Sequence, residues 1–491
     1  MRQNWILSPQ RDVCFILLAP VFVLAALVWL SQLTTVLVVF AIVGVYNIAH
    51  HLPTLLRIYG DRDLFRRYRW RFLLSPLLPF FAFVAVAGWL LHNEEPLDNV
   101  LFLLMILTLW APWHLMMQHY GFLRIYDRHN RAPHRLQTSM ELGFCVSWFV
   151  YLLLAMRDWL PDLVYRLYTL HGVSALDWFA GVTQGRLEQL TLSLAIGMSL
   201  VYVGYVIWCG RRGYFVSYAK LMLNAITFGI LYLSMVPNRW MGSLQPGWNY
   251  ALGYLVLNAT HNTQYLAIVW RFNRGLALGN PARVPGAWFR FAFARGGLIV
   301  LAVYLLACLV YGFVLGRSWL DWLTISPATL ESALVVLYGL AFTSELLHYY
   351  FDGFIWKVRH QENDAYLSDA ETRKSPDQRD KSWWDSQSDE SLFPVLLKQG
   401  LYFLVPIMLL TVTFLMWRQE EVEFTPMQHL AEAQTRHDFL RAVHVLDQQI
   451  EFEKRMVDLR PRAAHLTYMS EMRFLRTRTL IKRNAGRATA A

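Results

Sequence analysis

Histidine recurs in four separate apolar segments of this 491-residue chain, each time near one end of the segment. Ionisable side chains are rare in such segments, where they usually face the interior of a helical bundle and mark a functional site. Nitrogen ligands collected from several helices are suited to binding a transition metal. The candidate metal ligands are the histidines and carboxylates of these segments: His50, His51, His114, His119, His261, His348, Glu345 and Asp352.

The residues around these histidines have helical spacing. Residues three or four apart lie on neighbouring faces of a helix, so His348 and Asp352 can point at one centre. Glu345 precedes His348 at the spacing of a di-iron ligand pair in helical bundles. We expect polar neighbours to fix the imidazole tautomers, the alternative being that they hydrogen-bond neighbouring helices together. These neighbours are Asn47, Gln118, Asn258, Asn262, Gln264 and Tyr265.

Two histidine pairs cannot both bind one ion from a regular helix. His114 and His119 are five residues apart, which separates them by about 140° around a helix axis. Both can bind only if Pro112 distorts the helix or if two metals are present. Otherwise one of the two histidines binds the metal and the other only orients a metal ligand. In that case Gln118, which lies on the same helix face as His114, is a further polar neighbour of the site. The adjacent pair His50–His51 is about 100° apart, so we expect one of the two to bind directly.

This ligand set predicts iron, as one ion or two. Three to five ligands satisfy one ion and the full set could hold two, while a tetrahedral subset suits zinc and imidazole also suits copper. Burying Glu345 and Asp352 without a partner would cost about 2.5–3.5 kcal/mol each, a cost that a divalent cation offsets. The alternative is that each histidine bonds to a local backbone carbonyl.

The composition is that of a membrane protein. Hydrophobic residues make up 56% of the chain and charged residues 16%, against about 25% charged in soluble domains. The net charge of +10 is explained by basic loops that orient the spans and contact anionic lipid, so we expect no nucleic-acid partner. The four cysteines form no CxxC pair, which argues against a disulfide framework or a zinc ribbon.

The predicted fold class is all-α: a polytopic helical membrane bundle of about 11 spans, since a span needs about 20 apolar residues. The bundle occupies residues 1–417, and a short helical extension follows at 418–491. The predicted spans are 13–31, 34–55, 72–91, 97–120, 142–157, 189–209, 219–236, 248–270, 291–315, 330–355 and 395–417.

Lysine and arginine gather in the loops that follow the even-numbered spans, as at 57–71 and 122–137. Basic loops lie on the cytoplasmic side, so we expect the N-terminus in the cytoplasm and the protein in a bacterial inner membrane. The histidines lie on the second, fourth, eighth and tenth spans, on the order of 8–15 Å from these loops at the helical rise per residue. Four helices thus bring imidazoles to one depth, at the cytoplasmic ends of the spans.

Two segments lie outside this bundle pattern. The stretch 357–394 is polar and charged and is predicted to be a cytoplasmic loop. In the tail, Leu440, Val443 and Leu446 keep helical spacing, and a helix pair of this size resembles one tetratricopeptide-like unit. A single unit cannot bury its own apolar face, so the tail is expected to dock on a partner protein or on anionic lipid, or else to be a solvated helix.

Three motifs near the span ends resemble those of integral membrane non-haem iron enzymes with histidine boxes. They are His-His at His50–His51, His-x-x-x-x-His at His114 and His119, and His-x-x-x-Asp at His348 and Asp352. That class includes fatty acid desaturases and hydroxylases, alkane monooxygenases and the Brp/Blh carotenoid-cleaving dioxygenases. The desaturase boxes HxxxH and HxxHH are absent, and no single family matches.

The resemblance implies an O₂-dependent iron enzyme. Its substrate would be a lipid or another apolar molecule, which it would hydroxylate, desaturate or cleave, and an electron-donor protein would be its partner. Three other functions remain open: a haem-binding electron-transfer protein, an ion- or proton-coupled transporter, and a metal-free transferase that uses one histidine as a base.

Overall fold

The computed structural model describes residues 4–92, 101–127, 130–156, 185–278, 287–294, 297–316, 327–355 and 439–459, together with a few single positions beyond residue 392. Every regular element in these residues is a helix. A π-helical turn, Val13–Leu17, follows the first helix. The α-helices are α1 Pro9–Asp12, α2 Ala19–Leu33, α3 Val36–Ala49, α4 Leu52–Gly60, α5 Arg62–Arg67, α6 Arg69–Leu74, α7 Leu77–His92, α8 Leu101–Tyr126, α9 His134–Ala155, α10 Gly185–Arg211, α11 Tyr218–Met235, α12 Arg239–Leu244, α13 Tyr250–Leu278, α14 Ala287–Phe293, α15 Leu298–Leu315, α16 Pro327–Ile355 and α17 Phe439–Leu459.

Several of these helices are long and apolar enough to cross a membrane. Seven pass by length and composition, and α1 with the π-helical turn and α2 would make an eighth, bent by 47°. The predicted count of about 11 spans is not confirmed, and the predicted span 395–417 lies almost entirely outside the described residues. The seven are Val38–Gly60, Arg69–Trp89, His134–Ala155, Leu187–Arg211, Tyr218–Met235, Leu298–Leu315 and Ala333–Gly353.

Two long helices, α8 and α13, are not among these candidates. They correspond to the predicted fourth and eighth spans, and both carry polar groups at their centres. In α13 the sequence from Asn258 to Gln264 includes His261 and Asn262, all in a helix that is mostly buried by its neighbours. Polar residues that face other helices lower the mean hydropathy of a helix, although these residues do not contact lipid.

The chain divides into two compact units. One comprises Met1–Phe149 and Ile196–Ile407, and the other Val150–Ala195 and Met408–Ala491. In the second, α17 is amphipathic: Ala442, Val445 and Leu446 are buried and Leu440 is exposed. The predicted loop 357–394 lies outside the described residues except for Phe393.

The junction between α3 and α4 sets the position of the first histidine pair. Pro53 stands in the first turn of α4, and a proline ring clashes with the carbonyl four residues before it. The chain therefore does not continue as one regular helix, and His51 N–H donates to Ile48 at 3.1 Å instead of to Asn47. The carbonyl oxygen of Asn47 lacks this backbone donor and can accept a hydrogen bond from a side chain.

Close packing brings the neighbouring helices to this junction. α15 packs against α3 at Gly312, where a Cβ atom would overlap the carbonyl oxygen of Val45. Only glycine allows the two backbones to approach so closely. On the other side, α13 packs with α2 and α3 in a core that includes Val39, Val43 and Val256.

Candidate metal centre

Five imidazole rings meet inside the larger unit. They are His50 and His51 at the α3–α4 junction, His114 on α8, His261 on α13 and His348 on α16. All five are buried, with at most 8% of each residue exposed. The centroids of contacting rings lie 4.5 to 6.1 Å apart. Residues from four distant parts of the sequence thus form one cluster.

Two sets of three side chains bring ligand atoms to metal-binding distances. One is His50, His261 and His348, and the other is His114, His348 and Asp352. Within each set the ligand atoms lie within 4.8 Å of one another. The upper limit for two ligands on opposite sides of one ion is about 4.2 Å, because metal–nitrogen bonds are about 2.1 Å long.

Three pairs of ligand atoms lie within that limit. The Nε2 atoms of His50 and His348 are 2.9 Å apart. Asp352 Oδ2 is 3.6 Å from His348 Nε2 and 4.0 Å from His114 Nε2. These separations would allow the atoms to bind a common ion, and 2.9 Å is also the distance of a hydrogen bond between the two imidazoles.

A backbone acceptor fixes the ring of His50. Its Nδ1 contacts the Asn47 carbonyl oxygen that the helix break has freed. A carbonyl oxygen only accepts, so Nδ1 carries the hydrogen and Nε2 presents its lone pair to the centre. An outer hydrogen bond of this kind is typical of metal-binding histidine.

A chain of hydroxyl groups holds His348 and Asp352. Thr54 Oγ1 lies 3.1 Å from His348 Nδ1 and also bonds to the Tyr265 hydroxyl. Tyr265 in turn donates to Asp352 Oδ1 at 2.9 Å. Three helices, α4, α13 and α16, thereby fix the direction of one imidazole and one carboxylate.

His51 has a separate support. Its Nδ1 lies 3.0 Å from Ser344 Oγ, and Ser344 is 2.7 Å from the hydroxyl of Tyr311 on α15. The His51 ring stacks on His348 with a centroid distance of 4.7 Å. His51 belongs to neither ligand set, so of the adjacent pair it is His50 whose nitrogen converges with the other ligand atoms.

Several ring nitrogens of the cluster have no hydrogen-bond partner among the described residues. They are both nitrogens of His261, Nε2 of His51 and Nε2 of His114. Buried polar atoms in folded proteins are nearly always paired, and leaving one unpaired costs about 1–3 kcal/mol. A cation inside the cluster would accept lone pairs from these rings, so the donors present fit a transition metal.

No protein-family model, no curated protein and no solved structure matches this chain. The chemistry of the centre therefore rests on its own residues. Asp352 is the one carboxylate of the two ligand sets, and a carboxylate among imidazoles favours a cation over an anion as the ligand.

The remaining histidine of α8 lies elsewhere. His119 Nε2 is 2.9 Å from Asn224 Oδ1 on α11, so the structure does not bring it to the centre. Because α8 stays helical through Pro112, the 140° between His114 and His119 is kept. Gln118 is nearer the centre and donates to the carbonyl of His261 at 3.1 Å.

Other predicted residues also lie outside the two ligand sets. Glu345 accepts from the Tyr349 hydroxyl at 2.6 Å. Asn258 is half-buried one turn before His261, and Asn262 is buried without a hydrogen-bond partner among the described residues. Gln264 donates at 2.9 Å to the carbonyl of Ile16, in the π-helical turn, and so ties α13 to the N-terminal helices.

The sequence patterns do not point to Thr54, Ser344 or Tyr311. Thr54 follows His50 by one helical turn, and Ser344 precedes His348 by one. A hydroxyl residue one turn from a candidate histidine is a signal that could have found both, since such residues share a helix face.

A second buried polar network lies beside α8. Lys220 Nζ is 2.9 Å from both Asp127 Oδ2 and Glu141 Oε1, and Arg124 donates to Glu141 at 2.7 Å. The two cations and two carboxylates balance in charge. This network connects α8, α9 and α11 and contributes no residue to either ligand set.

Proposed function

We propose that this protein is a membrane-embedded metalloenzyme that uses O₂ to oxidise a lipid or another apolar substrate. Hydroxylation, desaturation and oxidative cleavage are the reactions in view, and iron is the expected metal. The proposal rests on one observation: His114, His348 and Asp352 converge from α8 and α16.

Two histidines and one carboxylate are the ligand set of non-haem iron(II) oxygenases, in which the protein leaves coordination positions open. An iron ion held here would supply the site at which oxygen is activated next to the substrate. Zinc would accept the same donors, and three imidazoles alone would also suit copper.

The residues of the chain have their own tasks in this proposal. Thr54 and Tyr265 orient His348 and Asp352, and the Asn47 carbonyl keeps His50 in the tautomer that offers Nε2 to the centre. The packed helices exclude bulk water from the cluster, which protects reactive species from side reactions.

An apolar substrate is supported by the helices around the centre. α15 exposes a row of large apolar side chains that includes Leu298, Ile299 and Leu306, as expected of a surface that faces lipid. The same helix supplies Tyr311, which reaches the centre through Ser344 and His51. A substrate dissolved in the bilayer would approach the site past such a helix.

The proposal includes an orientation in the membrane and a redox partner. The basic loops support a cytoplasmic N-terminus and an inner-membrane location. Hydroxylation and desaturation with O₂ each take two electrons and two protons beyond those that the substrate supplies, so a soluble electron-donor protein on the cytoplasmic side is the expected partner for these two reactions.

A haem centre is less well supported by these distances. Two axial histidines on one haem iron would hold their nitrogens about 4 Å apart, twice a metal–nitrogen bond. The Nε2 atoms of His50 and His348 are 2.9 Å apart, and the other rings lie in contact with them.

Metal analysis of the purified protein tests the proposal. The chain is loaded with iron(II) without oxygen in detergent micelles and then desalted, and iron, zinc and copper are measured per chain. We expect stoichiometric metal in the wild type and in the control His119→Ala, and loss of metal in His348→Gln. Nitric oxide, as a probe for an open position, should give a high-spin iron–nitrosyl signal in electron paramagnetic resonance. Absence of stoichiometric metal in the wild type would refute the proposal.

A further inference from the structure

The two ligand sets of the candidate metal centre have one member in common. His348 belongs both to the set with His50 and His261 and to the set with His114 and Asp352. Two overlapping sets can mean two ions bound at the same time or one ion that occupies one set at a time. The sequence left this choice open, and the atoms of His348 decide it.

His348 has a single nitrogen available for metal binding. Its Nδ1 lies 3.1 Å from Thr54 Oγ1. Its Nε2 is the atom that lies 2.9 Å from His50 Nε2 and 3.6 Å from Asp352 Oδ2. A ring nitrogen of imidazole has one lone pair, so Nε2 cannot bind two ions, and Nδ1 is directed away from the cluster.

The carboxylate of the centre is not placed to bridge two ions either. Two-metal sites hold their ions about 3.5–4 Å apart, and helical bundles build such sites with a Glu from each of several helices. Asp352 is the one carboxylate of the two ligand sets, and its Oδ1 accepts from Tyr265 at 2.9 Å. Glu345 accepts from Tyr349 instead.

We infer that each chain holds one metal ion, bound by His348 Nε2 together with either His50 and His261 or His114 and Asp352. This inference rests on the proposed metal function and deepens it. His50 and His261 would hold the ion from the α3–α4 junction and α13, and His114 and Asp352 would hold it from α8 and α16. The one available nitrogen of His348 makes the two positions mutually exclusive.

Cobalt(II) serves as the probe because its spectra report both ligand number and magnetic coupling. The full-length wild-type protein in detergent micelles is titrated with cobalt(II) and followed by visible absorption, elemental analysis and electron paramagnetic resonance. We expect saturation at one cobalt per chain with an uncoupled high-spin signal. Two cobalt ions per chain, or a coupled pair, would overturn the inference and leave the metal function standing. No stoichiometric binding of cobalt, iron or zinc would overturn the proposed function itself.

Ligand variants give a second test that does not depend on any one variant folding. With one ion, His50→Ala and His114→Ala should each still saturate at one cobalt, because each variant keeps the other ligand set intact. With two ions, each of these variants would fall from two cobalt ions to one, which would contradict the inference. His348→Gln should lose binding altogether, and His119→Ala should bind like the wild type.

Discussion

The Nε2 atoms of His50 and His348 lie 2.9 Å apart, although the two residues are 298 positions apart in the chain. His50 Nε2 carries a lone pair, because its Nδ1 must donate to the Asn47 carbonyl. If His348 also presents a lone pair, its Nδ1–H donates to Thr54, Thr54 donates to Tyr265, and Tyr265 donates to Asp352. Each donor is then used once, and the two facing lone pairs call for a cation between them.

The opposite arrangement needs one more proton. His348 Nε2–H would donate to His50, and Thr54, Tyr265 and the Asp352 carboxyl would each donate in the reverse direction. That requires a protonated Asp352, whereas the first arrangement keeps the carboxylate ionised beside the ion. The hydroxyl groups of Thr54 and Tyr265 therefore favour the arrangement in which His348 Nε2 can bind a cation. Both hydroxyl groups are needed for this effect.

Replacing the first hydroxyl should weaken metal binding. Thr54→Val keeps the shape of the side chain and removes the acceptor 3.1 Å from His348 Nδ1. We expect the metal affinity to fall about 10–100-fold, as for other outer partners of metal-bound histidine. A titration against a chelator of known affinity measures the change.

Thr227→Val is the matched control, since Thr227 is a buried threonine of α11 whose hydroxyl has no hydrogen-bond partner among the described residues. Its metal affinity should equal that of the wild type. Equal affinities for the two threonine variants would show that Thr54 has no role in orienting His348.

Removing the phenol hydroxyl should change the carboxylate ligand. Tyr265→Phe deletes the donor 2.9 Å from Asp352 Oδ1 and leaves the ring in place. The carboxylate is then free to rotate away from the ion, so we expect a shifted cobalt(II) absorption band and a lower affinity. Tyr46→Phe removes a comparable hydroxyl, 2.9 Å from Thr263 on α13, and should leave the spectrum unchanged. Superimposable cobalt spectra for Tyr265→Phe and the wild type would contradict the assignment.

The charged network on α11 should stabilise the fold independently of the metal. Lys220→Met leaves Asp127 and Glu141 buried with one fewer cation, and removing one partner of a buried ion pair costs about 3–5 kcal/mol. We expect a lower midpoint of unfolding in detergent micelles. The double variant Lys220→Met with Asp127→Asn restores the charge balance and should recover much of the loss. A double variant less stable than Lys220→Met would argue against charge balance as the cause.

Close contact between α3 and α15 should be sensitive to a single methyl group. Gly312→Ala places a Cβ against the Val45 carbonyl, and relief of such overpacking costs about 1–3 kcal/mol. Gly44→Ala, on α3 beside this contact, meets no atom within 4 Å and should be neutral or stabilising by about 0.5–1 kcal/mol. Unfolding in detergent micelles compares the two variants, and similar stabilities would show that the helices are not tightly packed there.

Spacing in the sequence predicts the site best where helix geometry alone sets the positions of the residues. The 140° between His114 and His119 follows from 3.6 residues per turn, and the structure separates the two residues accordingly. Glu345 and Asp352 were both candidates because both share a face with His348. Helix geometry does not choose between the two carboxylates. The structure does, because Asp352 lies 3.6 Å from His348 Nε2 whereas Glu345 accepts from Tyr349.

Other features depend on contacts between distant segments. The hydrogen bond from Tyr265 to Asp352 joins residues 87 positions apart, and no local pattern predicts which tyrosine meets which carboxylate. The number of spans was uncertain for a related reason. Mean hydropathy averages every residue of a helix, whether it faces lipid or protein, and the buried polar residues of α13 lower that average.

The polarity of α13 has a consequence for how the protein is made. The helix is about 43 Å long at 1.5 Å per residue, yet it is not among the segments apolar enough to cross a membrane by themselves. During synthesis it would not partition into the bilayer alone, because its amides and imidazole would meet hydrocarbon. The polar groups of α13 find partners in earlier parts of the chain: Gln264 donates to Ile16 in the π-helical turn, and Tyr265 bonds to Thr54 on α4. α13 would therefore enter the membrane together with these segments rather than alone.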